Sequence, residues 1–140
     1  MISFFKKKNE VNVNHSYLKI AALLIHAAKI DEIYEENEKD IIKKALIELG
    51  AQESSINDII LEATAIEENS NQILDFTKEI KNTADSEKIK IIEALWKIIY
   101  SNNNADMYET NLMRRLAGLL YINPKIMGDL KERAKQESEK

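Results

Sequence analysis

Six residues in two short stretches carry most of the chemistry this sequence offers. Asp31, Glu35 and Glu38 stand in Asp31-Glu32-Ile33-Tyr34-Glu35-Glu36-Asn37-Glu38; Asn102, Asp106 and Glu109 stand in Asn102-Asn103-Asn104-Ala105-Asp106-Met107-Tyr108-Glu109. The stretches superpose at a shift of 71 residues (102 − 31 = 71 and 109 − 38 = 71). Carboxylates this close repel one another and are costly unless solvated, paired with Lys or Arg, or neutralised by a cation. Hard divalent cations such as calcium or magnesium take several oxygen ligands. An Asp ending one helix, with two acids three apart on the first turn of the next, supplies such ligands from one side. The competing reading is a solvated acidic turn that favours the positive end of a helix dipole. The pattern is not an EF-hand loop, because it lacks the alternating ligands, central Gly and terminal Glu of that motif. In the second stretch only Asp106 and Glu109 carry charge, while the asparagines offer amide oxygens and suit a plain turn.

No catalytic constellation stands beside these acids. The absence of Cys excludes disulfides and thiolate chemistry. His15 and His26 are isolated and read as a tail His and a helix-packing His. No Gly-rich phosphate loop, nucleophile elbow or zinc-protease helix motif occurs. Trp96, Met113 and Tyr121 recur at helical spacing and are expected in the core. Arg114 and Arg115 are expected to pair with nearby carboxylates. The chain is therefore expected not to be an enzyme.

The elements that must position the acids are helices. The 140 residues fit one domain, and 44% hydrophobic with 31% charged residues is a globular balance. Three Gly and one Pro leave few helix breakers. The expected fold is an all-α compact bundle of about seven helices with an internal pseudo-repeat. At the 71-residue shift Leu18 meets Ile89, Leu24 meets Leu95, Ile42 meets Met113, Ile59 meets Leu130 and Ala63 meets Ala134. Each unit reads as helix, acidic turn, helix, cap, helix, with a linking helix through Ile73, Phe76, Ile80 and Ala84 between the copies. Gly50 is placed to end the second helix. Ser55-Ile56-Asn57-Asp58 resembles a capping box, Ser86 is placed to cap the fifth helix, and Asn123-Pro124 to open the seventh. Residues 1–14 are expected to be a flexible arm, 15–136 the helical domain and 137–140 a frayed tail, with fraying from about Lys131.

A net charge of −4 argues against a nucleic-acid partner. The run Lys6-Lys7-Lys8 reads as a solvated tail. No segment suits a signal peptide or a membrane span, so the chain is expected to be cytoplasmic and not inserted in a membrane.

Three segments together resemble the tellurite-resistance TerB family. They are Ala21-Ala22-Leu23-Leu24-Ile25-His26-Ala27-Ala28-Lys29-Ile30-Asp31 with Glu35, Glu38 and Ile41-Ile42; Ile73-Leu74-Asp75-Phe76-Thr77; and Glu93-Ala94-Leu95-Trp96-Lys97-Ile98-Ile99-Tyr100 with Tyr108-Glu109 and Leu112-Met113-Arg114-Arg115. The resemblance spans about Ser16 to Ala134. It implies a helical bundle with a pseudo-repeat, similar to the N-terminal domain of a membrane-anchored DnaJ-like co-chaperone. It also implies an acidic cluster proposed to bind a divalent metal, and a place in stress-response assemblies. The family's first Asp falls on Asp31 and its helix-opening acids on Glu35 and Glu38. Its usual Asp-Gly becomes Asp31-Glu32 in the first copy and Asn102-Asn103 in the second, which removes one charged ligand.

The expected function is a non-enzymatic TerB-like stress-response binding module. Asp31, Glu35, Glu38, Asn102, Asp106 and Glu109 are the metal-site candidates, with a divalent cation as the only implied cofactor and an unidentified protein as partner. The alternative is a metal-free helical interaction scaffold whose acidic turns dock a basic partner.

Overall fold

The computed structural model describes residues 17–29, 36–70, 73–101 and 109–138. Among them the chain is helical throughout, with no strand. Helix α1 covers residues 17–28. It is followed by α2 (Glu36–Glu48), a 3-10 turn (Glu53–Ser55), α3 (Ile56–Glu68), α4 (Leu74–Ile80) and α5 (Asp85–Ser101). A π-helical turn (Glu109–Met113) then runs into α6 (Arg114–Leu119), and α7 is Pro124–Ser138.

Two helices lie at the centre because they are apolar almost all round, which only a buried position tolerates. In α1 the run Ile20 to Ile25 and then Ala27 and Ala28 are buried. In α5 Ile91, Ile92, Leu95, Ile98 and Ile99 are fully enclosed, and Ala94 and Trp96 nearly so. Each large aliphatic side chain so buried contributes about 1.5–3 kcal/mol before chain entropy is set against it. Helix α5 packs mainly on α7 and α2, and α4 packs on α6. One hydrophobic cluster runs through all seven helices.

Burial repeats at the 71-residue shift. Ile20, Leu24, Ala28, Ile42, Ala45, Ile56, Ile59 and Ala63 are buried, and so are Ile91, Leu95, Ile99, Met113, Leu116, Met127, Leu130 and Ala134. Helix ends repeat as well. After α2, the Ala51 N–H bonds the Leu46 carbonyl (2.9 Å) and the Gly50 N–H the Ile47 carbonyl (3.0 Å). After α6, the Ile122 N–H bonds the Ala117 carbonyl (2.9 Å) and the Tyr121 N–H the Gly118 carbonyl (3.4 Å). Both are Schellman closures, which need a left-handed residue. Gly50 supplies it at φ 112° and Tyr121 at φ 57°.

Several local expectations are corrected. Tyr121 is not core; it is 76% exposed, because the left-handed closure turns it away from the bundle. The Ser55 capping box does not form: Ser55 ends a 3-10 turn in helical conformation and makes no side-chain cap bond. Ser86 lies inside the first turn of α5, where the Ala84 carbonyl accepts the first N–H groups from Glu87 and Lys88. The linking helix stops at Ile80, so Ala84 belongs to the next element's cap. Asn123 does cap α7, its Oδ1 accepting the Lys125 N–H at 2.8 Å with Pro124 in the first helical position. Helix α7 continues past Lys131 to Ser138, since Leu130 and Ala134 anchor it on the core.

Candidate functional site

Of the six candidate ligands, Asp31, Glu35, Asn102 and Asp106 lie outside the described residues, as do the side chain of Glu109 and all of His15. Glu38 is described, and it is 1% exposed on the first turn of α2. Its neighbour Glu36 behaves as an ordinary surface acid, 82% exposed and 3.6 Å from Lys39. A buried carboxylate pays a desolvation cost of several kcal/mol that only close partners offset. Glu38 is therefore a different kind of acid from a solvated cap.

The described helices also relate the last residues of the first acidic stretch to the residue that precedes the second. Lys90 Nζ donates to the Glu48 carbonyl at 3.1 Å, tying the end of α2 to the early part of α5. The groove between them is lined by Ile41, Lys44 and Glu48 on one side and Lys90, Glu93 and Lys97 on the other. Helix α2 therefore runs back along α5, antiparallel to it. With about 1.5 Å of rise per residue, the start of α2 and the end of α5 reach the same end of the bundle. Glu36 to Glu38 are the last residues of the first acidic stretch, and Ser101 immediately precedes the second. Glu109 itself opens the π-helical turn, a geometry that recurs at functional sites. Among the described residues no three His, Cys, Asp or Glu side chains group as metal ligands. The six candidates are carboxylates and one amide, a donor set that suits a hard cation.

His26 packs as a helix residue. Its Nδ1 lies 3.3 Å from Glu67 Oε1, and its ring centroid 6.1 Å from that of Phe76. Lys29 Nζ donates to the other Glu67 oxygen at 2.8 Å, so one carboxylate of α3 holds the end of α1. Arg114 and Arg115 are exposed, and the acidic stretch expected to pair with them lies outside the described residues.

One feature escapes the sequence reading. Trp96 and Met113 are buried as expected, yet with Met127, Ala117 and Gly128 they line a cleft of about 340 Å³. The Trp96 indole Nε1–H is buried without a hydrogen-bond partner, at a cost of about 1–3 kcal/mol. The signal was available in the repeat: Ala117 and Gly128 stand where the first copy has Leu46 and Asn57.

No described helix is long and apolar enough to cross a membrane. No curated protein and no solved structure matches the chain. The family model described as tellurite resistance protein TerB matches residues 17–132. With the pseudo-repeated all-α bundle it spans, that match establishes that the chain belongs to the TerB family.

Proposed function

We propose that this TerB-family chain is a non-enzymatic stress-response binding module that takes a divalent cation at the end of the bundle shared by the start of α2 and the end of α5. The observation that carries the reading is the burial of Glu38 on the first turn of α2. Asp31, Glu35 and Glu38 from the first copy, with Asn102, Asp106 and Glu109 from the second, would hold the ion through hard oxygen donors. The ion would neutralise carboxylates that otherwise repel, tying the two halves of the repeat together. It is assigned this structural role, with a protein partner reading the tied conformation.

A thermal melt of the metal-stripped protein, with and without millimolar calcium, magnesium or manganese, tests the proposal. A ligand that binds only the folded state stabilises it by about 2.7 kcal/mol at a hundredfold excess over its Kd. The expected result is a rise in Tm that disappears in Asp31→Asn and in Glu38→Gln. The quantity compared is the ion-dependent shift, so any intrinsic loss of stability in the variants cancels. No shift with any ion would overturn the cation reading and favour the docking of a basic partner on bare acidic turns.

A further inference from the structure

We infer that the exposed face of α3 is the docking site for the chain's own basic stretch, Phe4-Phe5-Lys6-Lys7-Lys8. The face is a stripe of Asp58, Leu61, Glu62 and Ala65, spaced as one side of a helix and all exposed. Leu61, in the middle of the stripe, is 72% exposed. Beside it Asp58 and Glu62 line a cleft of about 220 Å³, whose other lining residues are Leu18, Ser55 and Ile59. No Lys or Arg lines that cleft among the described residues, and α3 itself contains neither. The carboxylate of Glu67 is taken up by Lys29 and His26, whereas Asp58 and Glu62 have no cationic partner among the described residues. Such a surface fits an occupant that carries apolar and cationic side chains next to one another. A Lys stem would lie along Leu18 and Ile59 with its ammonium at the two carboxylates, and a Phe ring would cover Leu61.

The second half of the repeat shows that the fold does not require this face. Leu61 and Glu62 are equivalent to Glu132 and Arg133 of α7 (132 − 61 = 71 and 133 − 62 = 71). Glu132 is an ordinary exposed polar residue, and Arg133 Nη1 lies 3.3 Å from Glu93 Oε1 on α5. The position equivalent to Glu93 is Ala22, which is buried and offers Glu62 no charge. The first half is thus apolar and uniformly acidic where the second is polar and internally paired. The occupant is set by charge and by tether length. Lys6-Lys7-Lys8 is the only run of three cations in the sequence, and two of its three Phe adjoin that run. Lys8 precedes Leu18, itself a lining residue of the cleft, by ten residues (18 − 8 = 10). Ten residues span up to about 35 Å when extended, against about 10 Å of helix between Asp58 and Ala65. A tether so short gives an effective concentration on the order of millimolar, which favours this occupant over a separate molecule. Tyr17, next to Leu18, donates to the Leu49 carbonyl, so the docking face lies toward the end of α2 opposite the proposed cation site.

The sequence has no Cys, so Ser3→Cys in the full chain gives a single attachment point for a nitroxide label beside Phe4. In the amide spectrum of that protein, signals from Asn57 to Ala65 are expected to lose intensity several-fold relative to the reduced label. The equivalent face of α7 should keep its intensity. Asp58→Asn with Glu62→Gln should abolish the selective loss, as should Leu61→Glu. Asp58→Lys with Glu62→Lys should do the same, and adding Lys6→Glu, Lys7→Glu and Lys8→Glu to that protein should restore it. All of these positions on α3 are exposed, and the unchanged remainder of each spectrum verifies that the fold is kept. A loss that is uniform, centred on another helix, or unaltered by Asp58→Asn with Glu62→Gln would overturn the inference. So would the same selective loss in isotope-enriched, unlabelled chains mixed with nitroxide-labelled ones, because the occupant would then be the basic stretch of a second copy.

Discussion

Gly50 and Tyr121 close equivalent helices with the same hydrogen bonds, but only one of them is a glycine, and opposite substitutions should have opposite effects. At Gly50 φ is 112°, and an added Cβ would stand 2.9 Å from the Tyr17 hydroxyl. Tyr17 donates that hydroxyl to the Leu49 carbonyl at 3.2 Å. Gly50→Ala therefore costs about 1–2 kcal/mol of backbone strain and, as the hydroxyl is pushed aside, about 0.5–1.5 kcal/mol of hydrogen bonding. Together these amount to roughly 2–3 kcal/mol, or about 8 °C of Tm for a chain of this size. Tyr121 bears left-handed strain already, and its side chain is largely in solvent. Tyr121→Gly relieves that strain against the greater freedom of glycine in the unfolded chain, for a net gain of about 0.5–1 kcal/mol. Urea denaturation of both variants, with Gly50→Ala repeated in a Tyr17→Phe background, separates the terms. Removing the hydroxyl should reduce the cost of Gly50→Ala by the hydrogen-bond share, a coupling of about 0.5–1.5 kcal/mol. A Gly50→Ala protein as stable as the parent, or an equal cost with and without the Tyr17 hydroxyl, would refute the reasoning.

Two more outcomes follow from local geometry. Asn123→Ala should lose about 1 kcal/mol, because the Asn123 side chain satisfies the Lys125 N–H, whereas Ser55→Ala should stay within about 0.5 kcal/mol, having no cap bond to lose. Melting curves of the two variants side by side check this. Burial, and secondarily the charge of Glu87, raise the pKa of Tyr17 above its ordinary value of 10.0. The folded state then holds the Tyr17 proton more tightly than the unfolded chain. The stabilisation is fully present below pH 10 and is lost as pH rises through the raised value. Urea titrations between pH 8 and 11 should show a steeper alkaline loss in the parent than in Tyr17→Phe; parallel losses would count against it.

Much of the architecture was legible because burial follows periodicity. The run through Ile89, Ile92, Leu95, Trp96 and Ile99 marks a helix enclosed on most sides, and α5 occupies that place. The repeat register, the Gly50 closure and the Asn123-Pro124 start could be read for the same reason, since each is a local backbone requirement with a residue type that meets it. Ser55 and Ser86 could not, because several neighbouring groups compete to cap a helix and backbone dihedrals decide among them. Tyr121 was misplaced because apolar spacing does not reveal that a helix has already ended. The cleft over Trp96 was hidden for a different reason: it is made by what Ala117 and Gly128 lack, and a pattern search records side chains that are present. Of the acidic site, only Glu38 is described with its side chain.

The burial of that one residue sets it apart from an ordinary acidic cap. A carboxylate that merely complements a helix dipole gains about 0.3–1 kcal/mol and does so best while still solvated, as Glu36 is beside Lys39. Such a gain is too small to offset the several kcal/mol needed to strip water from an ionised group. Glu38 is enclosed nonetheless, two residues further along the same turn, and its enclosure has to be matched by strong local partners. Helix α2 lies antiparallel to α5, so those partners can be drawn from both copies of the repeat. A cation shared between copies would explain why an acid that a surface turn does not require is held inside. On that argument Glu38→Gln, which keeps the shape and removes the charge, should lower the affinity for the ion. The parent's Tm should therefore rise when the ion is added, while that of Glu38→Gln should not. An ion-dependent rise in Glu38→Gln as large as the parent's would instead show that Glu38 is held inside by protein groups alone.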